Sequence, residues 1–182
     1  SLLRAATYTG YFAAEFEQSA VTVDADLLTA DLALAFSSGP RYRVGEVTFT
    51  GGILRESLLL SYSDIRPGEP FSAERINDLH QVLAGSSYFR SVSIVTEPLD
   101  ENARTVPVRV NLTPAKRRLF SAGGGFTTDM GPHVRFGYAN RRRNDRGHQF
   151  ESRLYLSEVD SELNTAYRWP RRDPRSDWYS VV

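Results

Sequence analysis

Hydrophobic periodicity changes near residue 117, and this change limits the fold more than any other feature of the sequence. From there on the helical period disappears over 118–128, 132–140, 148–157 and 162–169, and a fifth stretch begins at Trp178. Apolar and polar side chains alternate in the last three of the four complete stretches. A period of two predicts strands, and short polar connections between the stretches predict consecutive hairpins. Each stretch is close to the ~9–11 residues of a tilted membrane-crossing strand. The segment is therefore predicted to form antiparallel up-and-down strands.

Charged side chains recur on one face of these predicted strands. Arg135, Glu151, Arg153 and Arg168 alternate with the apolar residues of their strands. Such charges would be costly in the dry core of a β-sandwich, whereas the water-filled lumen of a barrel accommodates them. Because about eight strands are the fewest that close a barrel, we expect an incomplete β-barrel.

A Tyr-Phe pair recurs 77 positions apart, as Tyr11-Phe12 and Tyr88-Phe89. Each pair is followed by two stretches with strand alternation, and the second of them is apolar at every other position over 32–36 in one copy and 106–112 in the other. Self-similarity of this kind indicates a structural repeat. One unit is therefore predicted to occur once whole and once as its second half.

The whole unit is predicted to contain a strand, two helices and two more strands. Alternation predicts a strand over 42–49, and the helical spacing of Leu54, Leu58 and Tyr62 predicts a short helix. A second helix is expected from an N-cap at Ser72 to Gly85. Strands over 91–97 and 105–113 follow, joined by a polar turn at Leu99–Asn102. The predicted fold class is α+β in the order β-α-α-β-β, followed by strands of a truncated outer-membrane β-barrel.

Charge is distributed unevenly along the chain although the net charge is zero. Residues 1–114 contain 9 basic and 14 acidic side chains, a balance of −5, and residues 115–182 contain 13 and 8, a balance of +5. No apolar run reaches the ~18 residues of a membrane-spanning helix, and no secretory leader precedes a cleavage site. The chain has no cysteine, which excludes disulfides and cysteine nucleophiles.

Motifs that usually carry chemistry are missing their companion residues. The glycines at 123–125 lack the Gly-Lys-Ser/Thr and the helix start of a phosphate loop. His80, His133 and His148 lack the spacing of metal ligands. The run Arg141–Arg143 is predicted to be a solvated turn at a membrane surface rather than a nucleic-acid patch. We therefore expect no enzyme activity, no cofactor, no metal and no nucleic-acid partner.

Three segments resemble a known family of outer-membrane proteins. Arg41–Val47, the pair Tyr88-Phe89 and, most specifically, Gly123–Pro132 are similar to the TamA family of translocation and assembly module subunits. That family belongs to the outer-membrane assembly-factor superfamily with polypeptide-transport-associated (POTRA) domains. The resemblance implies a fragment with the second half of POTRA domain 2 at 1–39, POTRA domain 3 at 40–114, and four to five strands of an incomplete barrel at 115–182.

What the resemblance implies is strand pairing rather than covalent chemistry. Family members help to insert β-barrel or autotransporter proteins, and client strands would pair at the POTRA sheet edge and at the seam of the first barrel strand. Adjacent glycines would weaken that seam, because they lose much conformational freedom on pairing. The implied pairing residues are Arg90, Val92, Ile94, Thr96, Phe120, Gly123, Gly124, Gly125 and Phe126.

The same resemblance implies the partners and the location. The partners would be unfolded outer-membrane or autotransporter clients, a TamB-like inner-membrane protein and the lipid bilayer of the outer membrane. The strands would lie in that membrane and the POTRA domains in the periplasm. Open strand edges also predict self-association of the chain.

Two alternatives of different classes stay open from the sequence. One is another member of the superfamily, either a two-partner secretion transporter or the general barrel-assembly subunit. The other is a soluble β-rich binding module attached to an α+β adaptor. The charges at Arg135, Glu151 and Arg153 argue against the module, because they would face a dry core.

Overall fold

The computed structural model describes residues 1–24, 29–97, 103–129, 131–171 and 173–182. The predicted turn at Leu99–Asn102 lies outside the described residues, as do Met130 and Arg172. The elements, in chain order, are α1 (Leu2–Tyr8), β1 (Glu15–Asp24), β2 (Thr29–Ser37), β3 (Arg43–Thr50), α2 (Glu56–Ser61), α3 (Ala73–Gly85), β4 (Phe89–Thr96), β5 (Thr105–Pro114), β6 (Arg118–Thr127), β7 (Gly131–Asn140), β8 (Gln149–Ser157), β9 (Ser161–Pro170) and β10 (Trp178–Val181).

The described strands form three sheets. β1 pairs with β2, the order of the second sheet is β3-β5-β4, and five strands follow one another as neighbours from β6 to β10. The elements from β3 to β5 therefore have the order β-α-α-β-β, and β6 to β10 are antiparallel and up-and-down. The predicted fold class is confirmed, with the five-stranded sheet open rather than closed. Among the described residues, no helix is long and apolar enough to cross a membrane.

Contacts divide the chain into two compact units. The first unit comprises 1–48, 65–77 and 95–109, and the second comprises 49–64, 78–94 and 110–182. Buried apolar side chains of the first unit are Ala6, Tyr42, Val44, Ile65, Phe71, Ile76, Val106 and Val108. Those of the second unit are Leu54, Leu59, Tyr62, Leu79, Leu83, Tyr88, Phe89, Val110 and Leu112.

Within the first unit, an aromatic cluster joins the segment between α1 and β1 to the start of β3. The ring of Phe12 lies 5.2 Å from the rings of both Tyr42 and Phe71, edge to face. The amide of Tyr42 donates to the carbonyl of Gly10 at 2.8 Å. Gly10 has φ +96°, and a Cβ there would lie 3.0 Å from the carbonyl oxygen of Phe71, so glycine is required at this turn.

The β1–β2 hairpin of the first unit is amphipathic. Its register sets Val21 opposite Leu32 and Ser19 opposite Leu34 on one face. Val23 and Leu32 on this face are 69% and 62% exposed, so the face has no apolar cover in the described chain. In both copies of the repeat the Tyr-Phe pair follows a helix and precedes two strands, although β4 begins at Phe89 and β1 begins three residues after Phe12.

Candidate strand-pairing edges and the junction beside them

β4 forms one edge of the three-stranded sheet, where the resemblance placed the segment Arg90–Thr96. Arg90 is exposed, and Val92, Ile94 and Thr96 are half-buried. The Nε2 of His80, on α3, lies 3.1 Å from the carbonyl oxygen of Val92 and donates to it. The backbone of β4 therefore has one side-chain partner from α3 at the centre of the predicted pairing segment.

β6 is the outermost strand of the five-stranded sheet. It pairs with β7 along its whole length, from Arg118 opposite Asn140 to Thr127 opposite Gly131, and no second strand pairs with it among the described residues. All ten of its residues are exposed, including Phe120 and Phe126 at 72% each. The two predicted pairing segments, β4 and β6, are thus both edge strands.

Register gives the five-stranded sheet two chemically different faces. The apolar face carries Phe120, Phe126, Val134, Phe136, Tyr138, Phe150, Leu154, Leu156, Leu163, Tyr167, Trp169, Tyr179 and Val181. The polar face carries Ser121, His133, Arg135, Glu151, Arg153, Tyr155, Glu162, Asn164 and Arg168. Gly124 lies on the apolar face, and Gly123 and Gly125 lie on the polar face.

Charges on the polar face are held by neighbours on the same sheet. Arg153 forms an ion pair with Glu151. The guanidinium of Arg135 lies 5.3 Å from the centre of the Tyr155 ring. These residues line a concave region of about 650 Å³ that is open to solvent. The sheet therefore satisfies these charges in the presence of water, as a wet lumen would require.

The three glycines of β6 differ in what surrounds them. A Cβ at Gly123 would meet nothing within 4 Å, and one at Gly124 would lie 3.5 Å from the carbonyl oxygen of His133. At Gly125 it would lie 2.8 Å from the His133 ring. None of the three has a φ in the left-handed region. The local fold therefore does not require glycine at positions 123 and 124.

A junction within the second unit connects several segments of the chain. It consists of the start of β4, the segment 53–64 around α2, the approach to β6 at Ala115, and the turns at 141–148 and 173–175 between strands of the five-stranded sheet. Tyr88 is 1% exposed, and its hydroxyl donates to the carbonyl of Gly147 at 2.5 Å. The carbonyl of Tyr88 accepts from the amide of Ala115 at 2.9 Å. Tyr88 therefore contacts both the chain that leads into β6 and the turn between β7 and β8.

Further bonds tie the β7–β8 turn to the segment around α2. The amide of Arg55 donates to the carbonyl of Asp145 at 3.0 Å, and the two side chains form an ion pair. Arg142 is half-buried and its Nη1 donates to the carbonyl of Ile53 at 2.9 Å. The prediction that Arg141–Arg143 is a solvated turn is therefore wrong for Arg142, because tertiary packing supplies a carbonyl acceptor for its guanidinium.

The pKa shifts of titratable groups at the junction favour the protonation states that form its hydrogen bonds and ion pairs. Burial raises the pKa of Tyr88 to about 12 and raises the pKa of Tyr62 beside it, so both phenols stay protonated. The hydrogen bond from Arg55 lowers the pKa of Asp145. Arg175 bonds Asp173 and pairs with Asp64, which lowers the pKa of Asp173 and raises that of the guanidinium.

The junction was not predicted as a functional feature of the sequence. Tyr88 belongs to the repeated Tyr-Phe pair, but Gly147, which accepts its hydrogen bond, lies 59 positions later in the chain. One local signal pointed to the turn, the Asn-Asp-Arg-Gly sequence at 144–147, which is typical of a tight connection. Gly147 has the left-handed φ of +77° that such a turn favours, and it is buried.

Comparisons with known proteins agree with this architecture. Residues 42–115 match the family model described as POTRA, surface antigen variable number repeat. BamA from Haemophilus ducreyi lacking POTRA domains 1–3 is similar in fold, with a TM-score of 0.72 at 15% identity over 93% of this chain and 32% of that one. CdiB from Escherichia coli has a TM-score of 0.57 at 14% identity, over 93% and 32%. CdiB from Acinetobacter baumannii has 0.52 at 15%, over 89% and 31%.

This chain spans about a third of the length of each of these solved structures. Similarity at 14–15% identity establishes the fold of the matched part. Residues 42–115 match the POTRA domain, and the matched 89–93% of the chain has the fold of the corresponding part of the BamA and CdiB structures.

Proposed function

We propose that this chain is part of an outer-membrane factor for the assembly or secretion of proteins, and that client strands pair with it at β6 and β4. In this proposal the strands β6 to β10 lie in the outer membrane as part of a barrel, and the segments 1–39 and 40–114 lie in the periplasm. The resemblance of Gly123–Pro132 and the fold shared with BamA and CdiB support it at the level of the superfamily.

One observation carries the proposal: β6 is an edge strand with glycines that its own fold does not require. A side chain would fit at Gly123 and Gly124, yet glycine occupies both. Glycine weakens cross-strand packing and raises the entropy lost on pairing. In lipid, the unpaired backbone groups of such a strand are costly, which favours an incoming strand that bonds them.

The finer assignment to the TamA family rests on the sequence motif and stays a prediction, as does the TamB-like partner. Within the superfamily, a two-partner secretion transporter or a general barrel-assembly subunit would share the edges described above. The soluble-module alternative must explain an apolar face with Phe120 and Phe126 largely exposed, and bilayer lipid covers such a face more simply.

Site-specific crosslinking in cells tests the pairing proposal. A photoreactive residue is placed at Gly124 in β6 or at Val92 in β4 of the full-length parent protein, during synthesis of an outer-membrane client. Matched controls carry it at Leu154 in β8, which is central in the five-stranded sheet, and at Arg109 in β5, which is central in the three-stranded sheet.

Client adducts are expected at Gly124 and Val92 and not at the two central positions. Adducts at Gly124 alone would restrict pairing to the barrel strand. Equal adducts at edge and central positions would indicate proximity without strand pairing. Silence at both edges during active client assembly would overturn the proposal and leave a scaffolding role.

A further inference from the structure

Aromatic rings gather at one end of the apolar face of the five-stranded sheet. The aromatic belt, as we call it, consists of Phe120, Tyr138, Phe150, Tyr167, Trp169 and Tyr179. Its rings follow one another across the strands, with centroid distances of 5.1 Å for Phe120–Tyr138, 6.0 Å for Tyr138–Phe150, 5.9 Å for Tyr167–Trp169 and 5.2 Å for Trp169–Tyr179. Register sets Phe150 opposite Tyr167, which completes the series from β6 to β10.

Two arginines lie just beyond the aromatic belt on the same face. Arg118 is two positions before Phe120 at the start of β6, and Arg171 is two positions after Trp169. The guanidinium of Arg171 lies 4.5 Å from the centre of the Tyr179 ring. Both arginines are exposed, and neither forms an ion pair with a carboxylate in the described part of the chain. We call these two residues the arginine rim.

Polar groups lie among and beside the rings of the aromatic belt, as they do where a bilayer meets water. The Nδ1 of His148 and the hydroxyl of Tyr167 are 2.8 Å apart and share a hydrogen bond. The His148 ring also stacks on Trp169, with centroids 6.4 Å apart. An amphipathic ring with one polar end and one apolar body is typical of the headgroup level of a bilayer.

The opposite end of the apolar face has different chemistry. The connections there contain Asp129, Glu158 and Asp160, and no basic residue among the described positions of 128–130 and 158–160. The nearest side chains of the apolar face are Val134, Leu156 and Leu163, with Phe126 as the one aromatic ring. The two ends of the sheet therefore differ in the sign of their charge and in their aromatic content.

We propose that the arginine rim binds the phosphate of anionic glycerophospholipid headgroups, with the aromatic belt seated at the headgroup level below it. A guanidinium presents a rigid fork of donors that matches two phosphate oxygens, and its stacking on Tyr179 holds that fork in place. The described residues of the acidic opposite end include no such pair of arginines. The proposal rests on the proposed function only in placing the sheet in a bilayer, and it adds which end meets the phospholipid headgroups.

Vesicle flotation of the full 182-residue chain tests the lipid site. The chain is diluted from detergent into vesicles of phosphatidylcholine alone, or of equal parts phosphatidylcholine and phosphatidylglycerol. The test variant is Arg118→Gln with Arg171→Gln. The control variant is Arg4→Gln with Arg109→Gln, which removes the same charge from two other exposed arginines. Circular dichroism in detergent checks that both variants keep their strand content.

The expected result is tighter partition of the wild type into the phosphatidylglycerol vesicles than into phosphatidylcholine. Each rim arginine is expected to contribute about fivefold, so the rim variant should bind these vesicles about twenty-five-fold more weakly, whereas the control variant should bind like the wild type. Wild-type binding by the rim variant would overturn the proposal. Equal loss in both variants would also overturn it, because net charge would then explain the binding.

The depth of Trp169 gives a second readout. In a Trp178→Phe background Trp169 is the one tryptophan of the chain. Its fluorescence should be quenched more by a lipid that carries a quencher near the headgroup than by a lipid that carries it at the end of the acyl chain. Stronger quenching from the chain end would contradict the proposal. Client crosslinking at Gly124 does not depend on these results, so failure of the lipid site and failure of strand pairing are distinguishable.

Discussion

Tyr88 links three parts of the second compact unit through one buried side chain. Its hydroxyl bonds the carbonyl of Gly147, and its own carbonyl bonds Ala115 at the entry to β6. Tyr11, the equivalent residue of the first repeat, is half-buried, and its ring is covered by the guanidinium of Arg41 at 5.8 Å. Tyr88 and Tyr11, the equivalent residues of the two repeats, therefore lie in different local environments.

Removing the Tyr88 hydroxyl should weaken the junction. Tyr88→Phe leaves the buried carbonyl of Gly147 without this donor, at an expected cost of about 1–2 kcal/mol in the free energy of unfolding. Tyr11→Phe is the matched control and should change stability by less than about 0.5 kcal/mol. Urea unfolding in detergent measures both. Equal losses in the two variants would show that the bond to Gly147 contributes no stability.

The cost of a side chain at Gly147 can be compared with the cost at Gly68, which also has a left-handed φ. A Cβ at Gly147, φ +77°, would lie 2.7 Å from the hydroxyl of Tyr88, whereas one at Gly68, φ +85°, would meet nothing within 4 Å. Gly68→Ala should therefore cost about 1–2 kcal/mol for the left-handed backbone alone. Gly147→Ala should cost about 1–3 kcal/mol more, because it also overpacks the junction.

A double variant separates backbone strain from the clash at Gly147. Tyr88→Phe removes the atom nearest to the added methyl group, so it should be less costly in the Gly147→Ala background than in the wild type. Urea unfolding of the four proteins gives this coupling. Additive losses would show that strain, and not the contact with Tyr88, determines the cost.

In β6, we expect the glycines to weaken the pairing of this edge strand with β7. Gly123→Val should strengthen β6 by roughly 0.5–1 kcal/mol, because it lowers the entropy lost on pairing and its side chain meets open space. Hydrogen exchange of the β6 amides measures the gain. Client adducts at Gly124 should fall in the same variant. Unchanged exchange and unchanged adducts would argue against a seam weakened by glycine.

Ion pairs of the junction predict a loosening in acid. Hydrogen bonds from Arg55 and Arg175 lower the pKa values of Asp145 and Asp173. A carboxyl with a lowered pKa stabilises the fold above its unfolded pKa and loses that contribution as the pH falls through its folded pKa. The junction should therefore be intact near neutral pH and loosen below about pH 4.

Trp178 reports this transition because its Nε1 donates to the carbonyl of Pro174 at 3.0 Å, beside Arg175. In a Trp169→Phe background, its fluorescence should change as the pH falls below about 4. The variant Arg55→Gln with Arg175→Gln lacks both partners and should show a smaller change. An acid transition of the same size in that variant would assign it to other carboxyl groups.

Exposed apolar faces govern the behaviour of the chain in water. The β1–β2 hairpin exposes Val23 and Leu32, and the five-stranded sheet exposes Phe120 and Phe126. Apolar patches of this kind, with open strand edges beside them, drive association. The chain is therefore expected to associate in water when no detergent or lipid covers these faces, in agreement with the proposed place of its strands in a bilayer.

Sedimentation velocity tests this expectation. Without detergent the chain should form dimers or larger species, and above the critical micelle concentration it should sediment as a protein monomer in a micelle. Matched samples of the same concentration provide the control. A detergent-free monomer with all five strands of the sheet ordered would count against the barrel assignment and favour the soluble module.

Strand alternation and the limits of α3 were readable from the sequence, because each depends on neighbours within a few positions. Val134 and Tyr138 lie on the face opposite to Arg135, as the alternation predicts, since a side-chain period of two is a local property of the strand. The helix expected to end at Gly85 does so. The resemblance implied that strands at 90–96 and 119–127 pair with clients; both β4 and β6 are sheet edges, and the role of their residues stays a prediction.

Contacts between distant segments depended on tertiary packing. No local pattern brings Tyr88 to Gly147, Arg55 to Asp145 or Arg142 to Ile53, because each pair is separated by 59 to 90 positions. Packing also revealed that Gly125 lies against the His133 ring while Gly123 has open space. Periodicity in the chain specifies which face a side chain takes, whereas the free energy of burying polar groups selects which distant partner satisfies it.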